Sequence, residues 1–383
     1  MVKLSAAVCI FLVTTVSARP SAPVVLGARI VTGSAVDFRF SSHEQGLAPA
    51  RLRFRCGFDT TRLHACGRAY GARLRVGAHV LRVRAVDPAG RKSPTTVVRV
   101  TVKAVPPPTP SVGVGEQPVN IAYGAGSVWV ANLTSGTVSR VDVSTSKVTA
   151  TITIAGQPSG VAFGDGSVWV GNFANGVVSR IDPATNAVVA RVQAGGQPLA
   201  VTVGGDGTVW TANFDGSVER IDPSTNAVAA RIRVGGQADV AAVGFGRVWV
   251  GNQDGTVSTI DPATNALVGS PIAVDRDTDA LAVSDQGVWV STFYSGTVAL
   301  IDPTTRTIAK KLTLSGQASG LLFAGGALWA SVYSGGEVVK IDPQTAKVVR
   351  SVTVGVRPRD LVSDGDHIWV VNEVSNSVSR ISP

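Results

Sequence analysis

Seven tryptophans divide the second part of the chain into units of nearly constant length. They are Trp129, Trp169, Trp210, Trp249, Trp289, Trp329 and Trp369, with spacings of 40, 41, 39, 40, 40 and 40 residues. Each of the first six units carries four short apolar runs, separated by glycine-rich turns and Asp-Pro turns or their equivalents. Self-similarity at this period, with four strands per unit, is typical of a radial array of small sheets. The sequence therefore predicts an all-β fold with a seven-bladed β-propeller over residues 111–383.

Six of the seven runs around the tryptophans are apolar at every position, as in Val128-Trp129-Val130. A strand that is apolar in both side-chain phases is covered on both faces, and a blade between two other blades achieves this. Each buried Trp removes about 150–250 Å² from water, so we interpret the rings as structural. The alternative is that they stack on a sugar or a cofactor.

The seventh unit ends at Pro383, directly after its third strand, and so lacks a fourth. Residues 111–115 match the end of a fourth strand such as 231–235. We predict that residues 111–115 complete the last blade, which removes an exposed sheet edge. The aspartates of the Asp-Pro turns, such as Asp182, are interpreted as turn formers. The alternative, a ring of metal-binding aspartates, is disfavoured because they lie on separate blades.

Residues 20–104 contain shorter runs in which polar and apolar residues alternate. The predicted strands are Val36–Phe40, Arg51–Arg55, Ala72–Val76, Val80–Ala85 and Thr96–Val102. Alternation of polar and apolar residues at period two gives a strand one solvent-exposed face and one buried face. We therefore expect the arginines to form a solvent-facing basic sheet. Residues 1–108 hold 17 Lys and Arg against 4 Asp and Glu, whereas the remainder holds 18 against 22. The basic character therefore belongs to this first domain.

Such a charge attracts polyanions. Two interpretations stay open, a solvated sheet face and a contact with an anionic wall polymer. No nucleic-acid partner is expected, because the sequence lacks a nucleic-acid motif and aromatics interleaved with the arginines.

The first 18 residues have the pattern of a signal peptide. Lys3 precedes an apolar run from Ala6 to Val16, and Val16-Ser17-Ala18 fits a small-residue cleavage site. The run is too short to span a bilayer, and no later segment is long and apolar enough. We therefore expect a secreted or cell-envelope protein, extracellular or periplasmic, without a transmembrane segment.

Two cysteines remain after the predicted cleavage, Cys56 and Cys66. An even pair in an oxidising compartment predicts a disulfide. The alternative is two unpaired small core residues. Residues 105–110 are rich in proline and are expected to form a semi-rigid linker between the domains.

Two resemblances to known families follow from these patterns. Residues 128–132, Val-Trp-Val-Ala-Asn, and 179–183, Ser-Arg-Ile-Asp-Pro, resemble bacterial propellers with Tyr-Val-Thr-Asn-type (YVTN) repeats, and more loosely virginiamycin B lyase. This resemblance implies the fold but is weak for activity. Residues 54–56, Cys66 and 77–90 resemble bacterial immunoglobulin-like modules. That implies an immunoglobulin-like β-sandwich over 20–104, acting as a spacer or adhesion module.

The candidate site is expected on the face that surrounds the propeller channel. Four residues after each Trp lie Leu133, Phe173, Phe214, Gln253, Phe293, Tyr333 and Glu373. Breaks in the repeat, in units five and seven, are the better candidates for function. The predicted ligand-binding residues are Asp277, Asp279, Phe293, Tyr294, Tyr333, Arg357, Arg359, Asp360 and Glu373. The alternative is mutual surface ion pairing, which contributes little.

No residue set is predicted to be catalytic. The chain lacks a Ser-His-Asp set, a phosphate loop and His/Cys metal spacing. We predict a monomeric, exported, non-catalytic binding or scaffold protein without a cofactor, whose propeller face recognises a peptide, a glycan or a protein. The alternative, implied by the looser resemblance, is a divergent lyase that opens a cyclic depsipeptide or lactone with magnesium. That family uses His and Glu, whereas the single histidine of 111–383, His367, is expected in a surface turn on the opposite face.

Overall fold

The computed structural model describes residues 20–26, 30–32, 35–42, 52–75, 77–103 and 109–383. This part of the chain consists of strands joined by turns, and none of its elements is a helix that could cross a membrane. The chain divides into two compact units, Met1–Val105 and Pro106–Pro383. The predicted signal peptide and residues 105–108 of the predicted linker lie outside the described residues.

Eight strands form the first unit. They are β1 (Val24–Leu26), β2 (Ile30–Thr32), β3 (Ala35–Ser41), β4 (Arg53–Phe58), β5 (His64–Cys66), β6 (Ala69–Arg73), β7 (Gly77–Val86) and β8 (Thr96–Lys103). A three-stranded sheet has the order β1-β3-β6, and a five-stranded sheet has the order β2-β8-β7-β4-β5.

Both sheets of the first unit contribute to one hydrophobic core. Phe38 of the three-stranded sheet is buried with Phe54, Leu81 and Val83 of the five-stranded sheet. The predicted alternation explains this, because the apolar residues of β4 and β7 point inward and the arginines between them point outward. The predicted disulfide is confirmed, since Cys56 and Cys66 are bonded and lie on paired strands.

The predicted strand Ala72–Val76 is wrong in its position. The observed strand β6 begins at Ala69 and ends at Arg73, and it pairs with β3 in the three-stranded sheet. Tyr70 stacks on Phe58 with 5.8 Å between ring centroids, so an aromatic contact sets the position of β6. The arginines consequently do not form one sheet, because those of β4 and β7 lie in the other layer.

The second unit contains seven antiparallel sheets, numbered here sheets 1 to 7 in chain order. Sheet 1 comprises β10 (Pro118–Gly124), β11 (Ser127–Asn132), β12 (Thr137–Asp142) and β13 (Lys147–Thr153). Sheet 2 comprises β14 (Pro158–Gly164), β15 (Ser167–Asn172), β16 (Val177–Asp182) and β17 (Ala187–Gln193). Sheet 3 comprises β18 (Pro198–Val203), β19 (Val209–Asn213), β20 (Ser217–Asp222) and β21 (Ala227–Arg233). Sheet 4 comprises β22 (Ala238–Gly244), β23 (Arg247–Asn252), β24 (Thr256–Asp261) and two short pieces, β25 (Ala266–Leu267) and β26 (Ile272–Ala273).

The remaining sheets repeat the same order. Sheet 5 comprises β27 (Thr278–Ser284), β28 (Gly287–Thr292), β29 (Thr297–Asp302) and β30 (Thr307–Thr313). Sheet 6 comprises β31 (Ala318–Ala324), β32 (Ala327–Val332), β33 (Glu337–Asp342) and β34 (Lys347–Thr353). Sheet 7 comprises β35 (Pro358–Ser363), β36 (Ile368–Asn372), β37 (Ser377–Ile381) and β9 (Ser111–Gly113). The last strand thus comes from the start of the unit, and Val112 pairs with Val378.

The first strands of the seven sheets contact one another in chain order, and the first strand of sheet 7 contacts that of sheet 1. The arrangement is therefore all-β and propeller-like. Every tryptophan lies on a second strand between neighbouring sheets and is at most 1% exposed, which confirms their interpretation as structural residues.

Candidate functional site

A cavity of about 430 Å³ lies where the first strands of all seven sheets meet. Short polar or apolar side chains near the start of each of these strands line it, among them Asn120, Ser159, Leu199, Asp239, Asp279, Ser319, Arg359 and Asp360. The first strands begin at a Gln-Pro turn or its equivalent, so the repeat places the variable residues that follow this turn by two or three positions at the cavity wall. The cavity is therefore the place where departures from the repeat meet.

Arg359 is the cation of the cavity wall and faces two carboxylates. Its Nη2 lies 3.6 Å from Asp279 Oδ1, and its Nη1 lies 3.5 Å from Glu373 Oε2. Burial lowers the pKa of Arg359, but the charges of Asp279 and Glu373 outweigh burial and raise it overall. Ser319 Oγ donates a hydrogen bond to Asp279. Arg359 therefore stays protonated and holds its two carboxylates in place.

Asp360 and Asp239 are the two carboxyl groups with raised pKa values. Burial raises the pKa of Asp360 to about 7, although the backbone N–H groups of Leu361 and Ile121 donate to its carboxylate. Asn120 Nδ2 also donates to Asp360, at 2.7 Å. Burial, followed by the negative charge of Asp279, raises the pKa of Asp239 to about 7. Both groups are therefore partly protonated at neutral pH.

Sheets 1 to 3 give the cavity wall several apolar side chains, next to the polar residues Asn120, Gln157 and Ser159. Leu133, Phe173 and Leu199 from sheets 1 to 3 line it, together with Val161 and Val201. Phe173 lies edge-on to Phe214, with ring centroids 5.9 Å apart. Charged groups from sheets 4, 5 and 7 thus share the cavity with apolar side chains from sheets 1, 2 and 3, which makes the cavity amphipathic.

An aromatic cluster adjoins the charged side. Phe293 and Tyr333 pack edge-on with ring centroids 5.1 Å apart, and the Arg357 guanidinium lies 5.4 Å from the centre of the Tyr333 ring. Tyr333 Oη donates to Glu373 Oε2 at 3.2 Å. Burial and the charge of Glu373 raise the pKa of Tyr333. The cluster is thereby coupled through Glu373 to Arg359.

The nine predicted ligand-binding residues separate into three groups. Asp279, Arg359 and Asp360 line the cavity. Phe293, Tyr333, Arg357 and Glu373 form the adjoining cluster. Asp277 and Tyr294 do not line the cavity.

The placement of Asp277 and Tyr294 has a local reason. Asp277 has a positive φ of 61° and its carbonyl accepts from Phe293 N, as Gln117 does from Leu133 N in sheet 1. The backbone of Asp277 therefore forms the same turn that Gln117 forms in sheet 1. Tyr294 is 72% exposed and touches Phe293 edge-on at 5.3 Å.

Sequence reasoning missed Asp239 and Asn120. Asp239 occupies the same position of the repeat as Asp279 and Arg359, two residues after the turn glutamine or its equivalent. An alignment of the seven units by their tryptophans would have revealed it. Asn120 carries no such signal, because an asparagine in a strand is recognised as a partner of Asp360 only once sheets 1 and 7 lie side by side.

The residues do not fit a magnesium ion. Within the described ranges, no three His, Cys, Asp or Glu side chains are placed together as metal ligands. Asp279 and Glu373 are turned towards Arg359 instead. His367 lies between Arg380 Nη2 at 2.7 Å and Asp364 Oδ2 at 3.5 Å, away from the cavity wall. Asp279 and Glu373 are thus paired with a cation of the protein itself.

Comparison with known proteins agrees with this class of fold. A solved structure described as Kuenenia stuttgartiensis hydrazine synthase is similar to this chain, with a TM-score of 0.62 and 18% sequence identity. The match covers 70% of this chain and 96% of the other. At this identity the likeness shows the fold alone. No family model and no curated protein sequence matches the chain.

Proposed function

We propose that this chain is an exported ligand-binding protein, an immunoglobulin-like β-sandwich followed by a seven-bladed β-propeller of the YVTN type. The seven sheets in ring order and the 40-residue repeat support the blade count. The two sheets with one core support the sandwich. The disulfide and the pattern of the first 18 residues support export.

The ligand of the propeller is a peptide that presents an apolar segment with a cationic side chain. One observation carries this proposal, the amphipathic cavity. Three aspartates, Asp239, Asp279 and Asp360, share its wall with a single cation, Arg359. A ligand ammonium or guanidinium group compensates the excess negative charge, and its apolar neighbours cover Leu133 and Phe173.

Isothermal titration calorimetry with two matched probes tests the proposal. The probes are a leucine-rich pentapeptide with a central lysine and the same peptide with that lysine ε-acetylated. We expect the lysine peptide to bind at least about tenfold more tightly, equivalent to ~1.4 kcal/mol. Equal affinity of the two probes, or no binding of either, contradicts a cationic peptide ligand.

A pair of charge-matched variants locates the binding. Asp279→Asn removes a carboxylate of the cavity wall. Asp275→Asn removes one from the turn before the same strand, where Asp275 pairs with Lys311 Nζ at 2.9 Å outside the cavity. We expect Asp279→Asn to abolish the preference for the unmodified lysine and Asp275→Asn to retain it. If both variants behave alike, the ligand does not enter the cavity.

A further inference from the structure

The first unit carries a second cavity, of about 340 Å³, on the outer face of its five-stranded sheet. Arg55, Arg84 and Lys92 line it, with Thr61 and Leu63. Three cations therefore surround one depression, and no carboxylate is among the described residues of its lining.

The strand register forces these charges together. Arg55 of β4 lies directly opposite Arg84 of β7, and an isolated bridge between Val86 and Lys92 brings the lysine to the same place. Like charges directly opposite each other on a sheet are destabilising. The fold thus maintains an unfavourable pairing at this point.

Arg55 and Arg84 are hydrogen-bonded, and no carboxylate whose side chain is described pairs with them. Arg55 donates through Nε and Nη2 to the Leu63 carbonyl, at 3.1 and 2.6 Å, and Arg84 donates to Thr95 Oγ1 at 3.2 and 2.7 Å. These acceptors are neutral and fix the direction of each guanidinium.

The two carboxylates described in this unit with their side chains are engaged elsewhere. Asp59 lies 2.5 Å from His79 Nδ1, and Asp87 lies 2.5 Å from Arg91 Nε. No described carboxylate therefore compensates the charge of the Arg55–Arg84 cavity, and an external anion can do so.

We propose that this cavity binds a tetrahedral oxyanion, a phosphate group carried on a linear polyanion. Two guanidinium groups with fixed directions match the oxygens of such a group, and Lys92 adds a point charge. The polymer follows from the face around the cavity, where Arg53, Arg82 and Arg99 continue the positive charge at alternate strand positions. No aromatic side chain lies among the outward-facing residues described on β4, β7 and β8, so the face lacks a platform for stacked bases.

Titration of the full chain with three probes tests the inference at low salt. The probes are orthophosphate, linear polyphosphate and a single-stranded DNA of equal charge. We expect polyphosphate to bind at least about 100-fold more tightly than orthophosphate, with an affinity that falls steeply with salt. If orthophosphate binds as tightly as polyphosphate, the ligand is not a polymer. If the DNA binds more tightly than polyphosphate, the ligand is a nucleic acid and the proposal is wrong. No binding of any probe would leave only a solvated face and refute the site.

Two double variants with the same loss of charge complete the test. Arg55→Gln with Arg84→Gln removes both guanidinium groups of the cavity. Arg39→Gln with Arg75→Gln removes two charges outside its lining. We expect the first pair to lower polyphosphate affinity at least about tenfold and to reduce the logarithmic salt slope by roughly 1.4, about 0.7 for each lost cation. The second pair should lower affinity less than about threefold.

Equal effects of the two pairs would show attraction by net charge alone and would overturn the site. Thermal melts of both pairs, and Arg84→Lys, separate binding from folding. Arg84→Lys keeps the positive charge but removes the guanidinium group, so we expect it to retain polyphosphate binding better than Arg84→Gln. A folded first pair with undiminished binding refutes the proposal.

Discussion

The guanidinium of Arg380 donates a hydrogen bond to the hydroxyl of Ser146 at 2.9 Å, although the two residues are 234 positions apart. Arg380 lies on the third strand of sheet 7, and Ser146 lies in the turn before the fourth strand of sheet 1. Arg140 and Arg180 make the equivalent contacts to Asn186 and Asn226 of the following sheets, at 2.9 and 3.2 Å. Each arginine also lies over the tryptophan of its own sheet. The contact of Arg380 therefore continues the repeat across the point where the ring closes.

Loss of this contact is expected to weaken ring closure. Arg380→Gln should destabilise the protein by about 2 kcal/mol, because a hydrogen bond from a charged donor and a cation–π contact are lost together. Arg191→Gln, on an exposed outer strand, serves as the control. Thermal unfolding followed by circular dichroism measures both. A melting temperature for Arg380→Gln no lower than that of the control would contradict a role in closure.

The strand β9 is the second contributor to closure. Deletion of residues 111–115 exposes the edge of β37 and removes the backbone hydrogen bond from Val114 N to Asn376 O. We expect a loss of ~3 kcal/mol, or about 6–12 °C in Tm. Gly113→Ser is the control, because no atom lies within 4 Å of an added Cβ at this position. An unchanged melt after the deletion would mean that β9 is dispensable.

A buried carboxylate in sheet 3 replaces a serine of the repeat. Glu219 is fully buried, accepts from Thr211 Oγ1 at 2.9 Å and contacts Arg231 Nε at 3.2 Å. Sheet 1 has Val130 and Ser139 at the corresponding paired positions.

Substitutions that restore the valine–serine pair of sheet 1 in sheet 3 should show whether Thr211 and Glu219 depend on each other for stability. Glu219→Ser alone leaves the Thr211 hydroxyl without its acceptor and should cost about 2 kcal/mol, whereas Asn213 Nδ2 keeps Ser217 Oγ as an acceptor at 3.0 Å. Thr211→Val with Glu219→Ser should lie within ~1 kcal/mol of the natural protein, since a buried ion pair is replaceable by a packed apolar group. Chemical denaturation of these two variants and of Thr211→Val alone completes a double-mutant cycle. If the stability losses of the two single variants add up to that of the double variant, Thr211 and Glu219 are not energetically coupled.

The raised pKa of Asp239 predicts a pH dependence of stability. Its pKa of about 7 exceeds the ordinary aspartate value of about 3.9. The folded state therefore binds the proton more tightly than the unfolded state, and stability falls as pH rises from about 4 to 7. Asp239→Asn removes this contribution, so the Tm difference between pH 5 and pH 8 should shrink. The control is Asp206→Asn, because the side-chain hydrogen bond from Thr208 lowers the pKa of Asp206 instead. An unchanged Tm difference in Asp239→Asn would show that Asp239 is ionised throughout.

The carboxyl groups of Asp239 and Asp360 link pH to peptide binding in the proposed function. A cationic peptide favours the deprotonated forms of Asp239 and Asp360, so its affinity should increase as pH rises through about 7. Calorimetry at pH 6 and pH 8 with the lysine peptide measures this. An affinity that is flat or falls over this interval would contradict an ammonium group beside these carboxylates.

Much of the second unit could be predicted from the repeat, because its physical determinants are local. Apolar residues in both phases around Trp129 require covering on both faces, and the glycine-rich and Asp-Pro turns limit each strand to a few residues. The first unit was less predictable. The alternation around Arg73 resembles that of Arg55, yet the contact of Tyr70 with Phe58 places β6 in the other sheet.

The sequence by itself determined the period, the strand content and the structural role of the tryptophans, since each depends on neighbours within one unit. Only the tertiary structure decided which variable residues meet. Asn120 and Asp360 are 240 positions apart and share a hydrogen bond because ring closure places the first strands of sheets 1 and 7 side by side. Asp239 likewise joins Asp279 at one cavity, where burial and the neighbouring negative charge raise its pKa. The chemistry of the cavity is therefore a property of the closed ring, which no single unit contains.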